Sequence, residues 1–261
     1  ILGGESISAI KPKGASTTTG LDASYPLIVS QKGFLNLEAN YDHKIFLNQI
    51  KGNSGSYVNT SDYKLDVVSL ALMGSLNDEW LAGAVNNASL NIARGRVNLN
   101  GSGSADFNQQ QTDFEGANTQ GYYNRVKWNL SRTQFLSDTW SLSLDASGQM
   151  ANKNLDSSEK FYLGGSSGVR AYPTSEGAGS EGYLFKVELR KYLPNNFIVS
   201  AFMDDGYVKQ YKHNAKNSDP TVALTTEGSP NEYFLRGYGV SLAWSGPYNS
   251  TFKATYSHRI G

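Results

Sequence analysis

The segment at residues 164–168, "GGSSG", matches the G-x-S-x-G pattern of hydrolases and would make Ser166 a nucleophile. That chemistry needs a sharp turn that follows a strand and opens a helix, so that the serine hydroxyl is exposed. The residues after Gly168 read "VRAYPTSEG", which has no helical period and contains a proline. The context therefore predicts a loop and no hydrolase site.

A second signature, G-x-G-x-x-G, is matched by "GAGSEG" at residues 177–182. A dinucleotide site needs a helix N-terminus directly after such glycines. Here the next residues, "YLFKVELR", alternate between apolar and polar types, which predicts a strand. Asp204 and Asp205 do not form a carboxylate dyad either, because neighbours on a strand point to opposite faces. We therefore expect no cofactor.

The chain also lacks the residues that a metal site, a reactive thiol or a nucleic-acid interface would need. The chain has no cysteine, and its three histidines, His43, His213 and His258, have no partner at ligand spacing. Its 23 basic and 23 acidic side chains give zero net charge, which provides no long-range attraction to nucleic acid. We predict no catalytic residue, no metal site and no nucleic-acid partner, so the protein is not expected to be an enzyme.

The elements available to position a site are strands, because a period of two runs along most of the chain. In "FLNLEANYDHKIFL", residues 34–47, leucines and other apolar residues share one face while acidic residues and asparagines share the other. The same split recurs at 140–150, 182–193 and 251–260. The alternation slips after Val67 and around residues 94–96, where we expect β-bulges.

This pattern predicts about eleven strands, many of them long enough to cross a tilted path through a bilayer. Their expected positions are 1–10, 19–30, 33–48, 62–77, 84–100, 120–136, 138–151, 181–193, 196–209, 233–245 and 250–261. Short turns alternate with long polar loops, and aromatics such as Tyr25 and Trp244 lie near strand ends, as in outer-membrane barrels. We therefore predict an all-β, transmembrane antiparallel β-barrel. A soluble β-sandwich or a propeller would also alternate and is the alternative fold.

The loop at 152–180 is unusually long for a connection with no secondary structure of its own, which predicts a functional role. Its apolar, basic and aromatic tip is "VRAY", formed by Val169, Arg170, Ala171 and Tyr172. Further on, the period of "FIVSAFMDDGYV" places Phe202, Asp204 and Gly206 on the face opposite the apolar one, which is the lumen side of a barrel. Arg170 and Asp204 are therefore a candidate bidentate ion pair.

These segments resemble the two-partner secretion transporters of the Omp85 superfamily, the haemolysin and adhesin secretion proteins. The family's sixth extracellular loop carries a V-R-G-Y/F tip that enters the barrel, and "EKFYLGGSSGVRAY" resembles that loop. Its next two strands carry G-x-x-G-x-x-x-x-x-E, matched by Gly179, Gly182 and Glu188, and F-x-D-x-G, matched by Phe202, Asp204 and Gly206. Ala171 replaces the family's glycine, and its methyl group restricts positive φ angles. The resemblance extends to "LDASYPLI", "NYDHK", "NKNLDSSEKF" and "LAWSGP".

The resemblance implies a sixteen-stranded barrel of which residues 1–261 form about strands five to fifteen, with POTRA domains, the first strands and the final strand outside this chain. It implies an outer-membrane pore of a Gram-negative bacterium that exports an unfolded exoprotein (an adhesin, a haemolysin or a contact-dependent toxin) without ATP. Arg170 and Asp204 would latch the loop, Glu188 would support the pair, and Tyr172 and Phe202 would pack the tip. The expected partners are the exoprotein, outer-membrane lipid and lipopolysaccharide, and a monomer is expected. An Omp85-type assembly factor and a diffusion porin are the alternatives.

Overall fold

The structure is a computed structural model that describes residues 12–51, 56–99, 109–174, 176–216, 219–226 and 228–261. Ten long strands form one antiparallel sheet, and two short strands pair separately. The strands are β1 (Pro12–Val29), β2 (Gly33–Lys51), β3 (Tyr57–Asp78), β4 (Ala84–Asn98), β5 (Gly121–Ser137), β6 (Trp140–Ala151), β7 (Phe161–Tyr162), β8 (Ala178–Gly179), β9 (Glu181–Leu193), β10 (Phe197–Lys209), β11 (Glu232–Ser245) and β12 (Thr251–Arg259). The order of the large sheet is β1-β2-β3-β4-β5-β6-β9-β10-β11-β12.

The sheet carries its apolar residues on the outside. Along β10, Val199 and Met203 are 41% and 49% exposed, whereas Ser200 and Asp204 on the other face are 3% and 0% exposed. A soluble sheet would bury the apolar face, and a contiguous exposed apolar surface of this kind marks contact with a membrane. The predicted fold class is confirmed: the chain is part of a transmembrane antiparallel β-barrel.

The connections alternate in length as the sequence predicts, except after β2, where the long loop expected there is short. At one end of the sheet, short turns such as Pro194–Asn196 and Pro247–Asn249 join neighbouring strands. Asn195 and Asn196 have φ angles of 61° and 62°, a left-handed conformation that asparagine tolerates. At the other end, long segments follow β4, β6 and β10, and one of them contains a short helix, α1 (Gln109–Glu115), whereas only residues 52–56 join β2 to β3. Within the part of the chain that the structure describes, no helix is long and apolar enough to span a membrane.

Two details of the strand predictions change, and one prediction is not tested. The expected strand at 1–10 lies outside the described residues, and β1 begins earlier than expected, at Pro12. The loop at 152–180 contains secondary structure after all, because β7 pairs with β8 and a 3-10 turn covers Ser157–Glu159.

The bulges expected after Val67 and around residues 94–96 are also wrong. Pairing of β3 with β4 is uninterrupted from Lys64 opposite Asn98 to Asp78 opposite Ala84. The apolar residues change face for another reason: Leu65, Val67 and Val97 point inward and pack with Tyr123 and Leu155 in a core cluster. The register shifts lie elsewhere, between Pro26 and Ile28, Asn48 and Gln49, and Phe135 and Ser137.

Candidate functional site

The loop between β6 and β9 folds back on itself, which brings its tip to the inner face of the sheet. The amide of Leu163 donates to the carbonyl of Gly177 at 2.9 Å, and the amide of Val169 donates to the carbonyl of Leu163 at 2.7 Å. A Cβ atom on Gly168 would lie 1.7 Å from the oxygen of Leu163, and one on Gly164 would lie 2.1 Å from the oxygen of Pro173. The glycines are therefore needed because backbone segments meet there.

Two apolar side chains seat the loop on the wall. Leu163 and Val169 are fully buried and pack with Leu184, Val208 and Leu235 of the strands, with Tyr172 beside this cluster. Gly206 lies directly beneath them, since a Cβ atom there would come within 2.8 Å of Leu163 and 3.1 Å of Val169. The glycine of F-x-D-x-G therefore provides the space that the tip occupies.

Gly179 and Gly182, the first two members of the G-x-x-G-x-x-x-x-x-E match, lie where the loop joins β9. A Cβ atom on Gly179 would be 2.2 Å from the oxygen of Lys209, and one on Gly182 would be 2.6 Å from the oxygen of Tyr207. Both glycines therefore allow close approach of the loop end to β10.

Arg170 bonds to the inner wall through its backbone amide and all three guanidinium nitrogens. Its Nε and Nη2 atoms donate to the two oxygens of Asp204 at 2.9 and 2.7 Å, and its backbone amide donates to Asp204 Oδ2 at 3.0 Å. Its Nη1 atom forms an ion pair with Glu188, which also accepts from Arg190 Nε at 2.9 Å. The guanidinium carbon lies 3.4 Å from the centre of the Phe202 ring. We call Arg170, Asp204, Glu188 and Arg190 the tip anchor.

The tip anchor is electrically balanced, and all of its side chains except that of Arg190 are largely buried. It contains two arginines and two carboxylates, and the Asp204 side chain is fully buried. Bidentate pairing between a guanidinium and a carboxylate is the strongest form of charge-assisted hydrogen bond between side chains. Removal of either charge would leave the other buried and unpaired, which costs several kcal/mol, about 3 to 5 in typical cases. The structure thus brings the predicted residues together, while their role in the protein stays a prediction.

Ala171 fits without a left-handed conformation, since its φ is not among the positive values. Its methyl group instead faces Gly237 of β11, where an added Cβ atom would lie 2.6 Å from the Ala171 Cβ. The neighbouring backbone is also bonded to β12: Ser257 Oγ donates to the oxygen of Arg170 at 2.9 Å, and Arg259 Nε donates to the oxygen of Ala171 at 3.1 Å. Four consecutive strands therefore contact the tip.

A second ionic contact, which sequence reasoning missed, holds the beginning of the loop. Glu159, whose side chain is 2% exposed, accepts from Lys44 Nζ of β2 at 3.0 Å and forms an ion pair with Arg125 of β5. Gln149 of β6 donates to the backbone oxygen of Glu159 at 3.0 Å. We call Glu159, Lys44 and Arg125 the base anchor. The acidic residue in "SSEKF" and the inward cations were visible in the sequence, but nothing in the sequence showed that they meet.

The rejected signatures have no supporting geometry. Ser166 lies in the folded-back loop and is followed by turns, and the glycines at 177–182 lead into β9, so neither precedes a helix. Asp204 and Asp205 face opposite sides, since Asp204 binds Arg170 while Asp205 accepts from Arg236 at 2.6 Å. Among the described residues there is no group of three or more metal-ligating side chains.

An antiparallel sheet whose apolar residues face outward, with a long loop folded onto its inner wall, is the arrangement of an outer-membrane β-barrel of the Omp85 type. Comparisons with known proteins give the family. Residues 4–228 match the family described as haemolysin secretion/activation protein ShlB/FhaC/HecB. The chain belongs to this family, the two-partner secretion branch of the superfamily, and thus to the outer membrane of a Gram-negative bacterium. The predicted resemblance and localisation are confirmed.

Named relatives agree with this assignment. The heme/hemopexin transporter protein HuxB of Haemophilus influenzae Rd is 27% identical over 253 residues, which cover 95% of this chain and 41% of that protein. HuxB of strain 86-028NP is 24% identical over 267 residues, and the alignment covers 99% of this chain and 45% of that protein. The chain therefore spans less than half the length of these relatives.

Solved structures show the same fold. CdiB from Escherichia coli has a TM-score of 0.68 at 18% identity, with 96% of this chain and 42% of that chain covered. CdiB from Acinetobacter baumannii also gives 0.68, at 17% identity, with 96% and 40% covered.

Proposed function

We propose that this chain forms part of a protein-conducting pore that passes an unfolded exoprotein to the cell surface without ATP. An adhesin, a haemolysin or a contact-dependent toxin is the proposed class of cargo. The complete protein would have sixteen strands preceded by POTRA domains, and residues 1–261 would supply about strands five to fifteen. Family membership supports transport, and HuxB, a relative, is named a heme/hemopexin transporter.

The observation that carries the proposal is the tip anchor inside the barrel. A loop whose arginine binds Asp204 and Glu188 on the inner wall occupies space through which a chain would have to pass. A diffusion porin also carries loops in its lumen. In this protein, however, the tip is fixed by a bidentate ion pair, by buried Leu163 and Val169, and by hydrogen bonds that side chains of β12 donate to the tip backbone. Contacts this specific between the loop tip and the inner wall support a defined state in which the loop closes the pore.

The inner wall around the loop suits an extended polypeptide. Ser141, Ser143 and Gln149 of β6 point inward, and Ser200 of β10 shares a hydrogen bond of 2.7 Å with Ser241 of β11. These groups are buried while the loop is in place, and Gln149 is bonded to the backbone of Glu159. When the loop leaves, such hydroxyl and amide groups would be able to exchange hydrogen bonds with a passing backbone, because they recognise peptide groups and no particular side chain. We propose that the exoprotein moves along this wall when the tip has left its seat.

The test is secretion of the exoprotein encoded beside the full-length gene, compared between wild type and Arg170→Ala. Arg236→Ala is the matched control, because Arg236 also pairs with an aspartate on β10 but on the outer face of the sheet. Each variant is compared at equal amounts of heat-modifiable protein in the outer membrane. We expect Arg170→Ala to lower secretion at least tenfold and Arg236→Ala to leave it within twofold, since stranding a buried charge costs about 3 kcal/mol or more.

The same strains separate the alternatives. If the protein is an assembly factor, Arg170→Ala lowers the amounts of other outer-membrane barrels while a pre-assembled exoprotein pathway is unaffected. If it is a diffusion porin, small-solute uptake depends on the protein and no exoprotein requires it. Equal secretion by wild type and Arg170→Ala contradicts the proposed role of the tip anchor.

A further inference from the structure

A group of charged and aromatic side chains lies on the outer face of the sheet, away from the loop. Arg94 and Arg96 of β4 point outward and are exposed. Arg96 is opposite Asp66 of β3 and Tyr122 of β5, and His43 of β2 is opposite Asp66. We call these five residues the outer-rim cluster. They belong to four neighbouring strands, so the cluster is a continuous patch on the surface that faces the membrane.

The cluster lies where the apolar band ends. Outward-facing residues along β4 run from Asn86 through Leu90 and Ile92 to Arg94. Asn86 belongs to a polar group at the short-turn end, since it donates to Asp78 at 2.8 Å. Eight residues separate Asn86 from Arg94, a rise of about 26 Å along the strand and about 20 Å across a membrane at the usual tilt, close to the apolar height of such barrels. Arg94 therefore reaches the headgroup level of the outer leaflet, on the side of the long loops.

The two arginines have no carboxylate bonded to them among the described residues. Asp66 is the acidic residue opposite Arg96, but it accepts from Tyr41 at 3.0 Å and lies 2.6 Å from His43 Nδ1. The guanidinium groups of Arg94 and Arg96 instead lie over the Tyr122 ring, 5.0 and 5.4 Å from its centre.

Other outward-facing arginines are paired differently. Arg132 at the short-turn end binds Asp78 at 2.7 Å, and Arg236 of β11 binds Asp205 at 2.6 Å. Arg236 is four residues from the long-loop end of its strand, as Arg94 is, and lies 4.7 Å from the Phe234 ring. Arg236 and Arg94 thus lie at the same distance from the strand end and both contact an aromatic ring, but only Arg236 has a bonded carboxylate partner among the described residues.

We propose that the outer-rim cluster binds the phosphate group of an outer-leaflet lipid, that is, a phosphorylated glycolipid of the Gram-negative surface. Two adjacent guanidinium groups fit the tetrahedral oxygens of a phosphate, and their stacking on Tyr122 fixes their direction. Exposed Ile92 lies one outward position below Arg94 on β4, and exposed Val68 lies one outward position below Asp66 on β3, so acyl chains have an apolar surface beneath the headgroup. Cations at this depth attract anionic headgroups, and arginine side chains extend toward the interface.

The test uses the full-length protein in phosphatidylcholine nanodiscs and measures bound lipid A by native mass spectrometry. The variants are Arg94→Ser/Arg96→Ser, Arg94→Lys/Arg96→Lys, and the control Arg236→Ser. We expect the double serine variant to bind lipid A roughly 30-fold more weakly, the double lysine variant to keep much of the affinity, and Arg236→Ser to match wild type. Dephosphorylated lipid A should bind wild type as weakly as intact lipid A binds the double serine variant.

Heat-modifiability shows that each variant is folded, and if the double serine variant does not fold, the single variants Arg94→Ser and Arg96→Ser should each lose about fivefold. Equal binding of lipid A by wild type and the serine variants overturns the proposal, as does equal binding of the dephosphorylated lipid. Displacement of lipid A by inorganic phosphate at similar concentration would also overturn it, because it would identify a site for soluble anions.

Discussion

At the tip of the loop, an arginine of the loop binds carboxylates of the wall, whereas at the base a glutamate of the loop binds cations of the wall. Arg170 meets Asp204 and Glu188, and Glu159 meets Lys44 and Arg125. Each contact adjoins its own apolar cluster, to which the loop contributes Leu163 and Val169 at the tip and Leu155 at the base. The loop is thus held at two places by the same combination of forces with the signs of the charges exchanged.

The two anchors differ in how completely their polar atoms are satisfied. No atom of the tip anchor is among the buried side-chain atoms that lack a hydrogen bond within the described residues. Three atoms around the base anchor are: Tyr123 Oη, Arg125 Nε and Gln149 Oε1. Buried polar atoms without partners weaken a network, because their desolvation is not repaid. Because its polar atoms are better satisfied, the tip anchor should be the more stable of the two contacts, and the base anchor should open first.

Arg170→Ala should have the largest effect on the loop. It leaves Asp204 fully buried beside Glu188 without its bidentate partner, at a cost of about 3 to 5 kcal/mol. The measurement is a double-mutant cycle with Asp204→Ala, read from the melting midpoint of the heat-modifiable form of the full-length protein. We expect the double variant to be less destabilised than the sum of the singles by at least about 1 kcal/mol. Additive effects would contradict a direct pair.

Glu159→Gln should have a smaller effect, about 2 to 3 kcal/mol, because Lys44 is partly exposed and can turn to water. Arg125 then loses its partner while its Nε is already unsatisfied. The matched control is Glu79→Gln, which removes an exposed ion pair with Lys32 and should change the midpoint little. A cost for Glu159→Gln above that of Arg170→Ala would reverse the order of the two anchors.

Gly237→Ala tests the tip by steric means. The new methyl group would lie 2.6 Å from the Ala171 Cβ and 3.1 Å from the oxygen of His258, so we expect a loss of about 1 to 3 kcal/mol. Ala171→Gly should be nearly neutral alone, and it should recover most of the loss when combined with Gly237→Ala. Melting midpoints of the three variants decide this, and no recovery would show that the tip does not rest on Gly237.

Asn195→Ala gives the smallest expected effect and serves as a reference far from both anchors. A left-handed φ of 61° costs alanine about 1 kcal/mol, whereas Asn195→Gly should be neutral. Neither variant should alter protease access to the loop at 152–180. Increased cleavage of that loop in Asn195→Ala would mean that the loop responds to general destabilisation, and the comparison of anchors would lose its basis.

The sequence predicted the Arg170–Asp204 pair of the tip anchor because two local signals pointed to it, whereas Glu188 followed only from the family resemblance and Arg190 was missed. Strict alternation placed Asp204 on the inner face, and the loop around Arg170 combined glycines with an apolar and aromatic tip. It could not predict the base anchor, because Lys44 and Glu159 are separated by 115 positions and Arg125 and Glu159 by 34. Their meeting depends on how five strands curve around the loop, which no local pattern records.

The same limitation explains the wrong bulges. Alternation assigns every apolar residue to the membrane, yet Leu65 and Val67 face inward to contact the loop through Leu155. The change in alternation at Val67 therefore results from an inner apolar cluster and not from a bulge. The outward Arg94 and Arg96 mark the end of the apolar band. Sequence pattern fixes which residues share a face, but the environment of each face changes with depth.

The most direct test of the two anchors is hydrogen exchange of the loop amides in the full-length protein in membranes, for wild type, Arg170→Ala and Glu159→Gln. Arg170→Ala should expose the amides of residues 163–172 while those near Glu159 stay protected, and Glu159→Gln should expose the base first. Protection that is unchanged in both variants, or that is lost from the whole loop in each, would contradict two separate anchors of opposite charge.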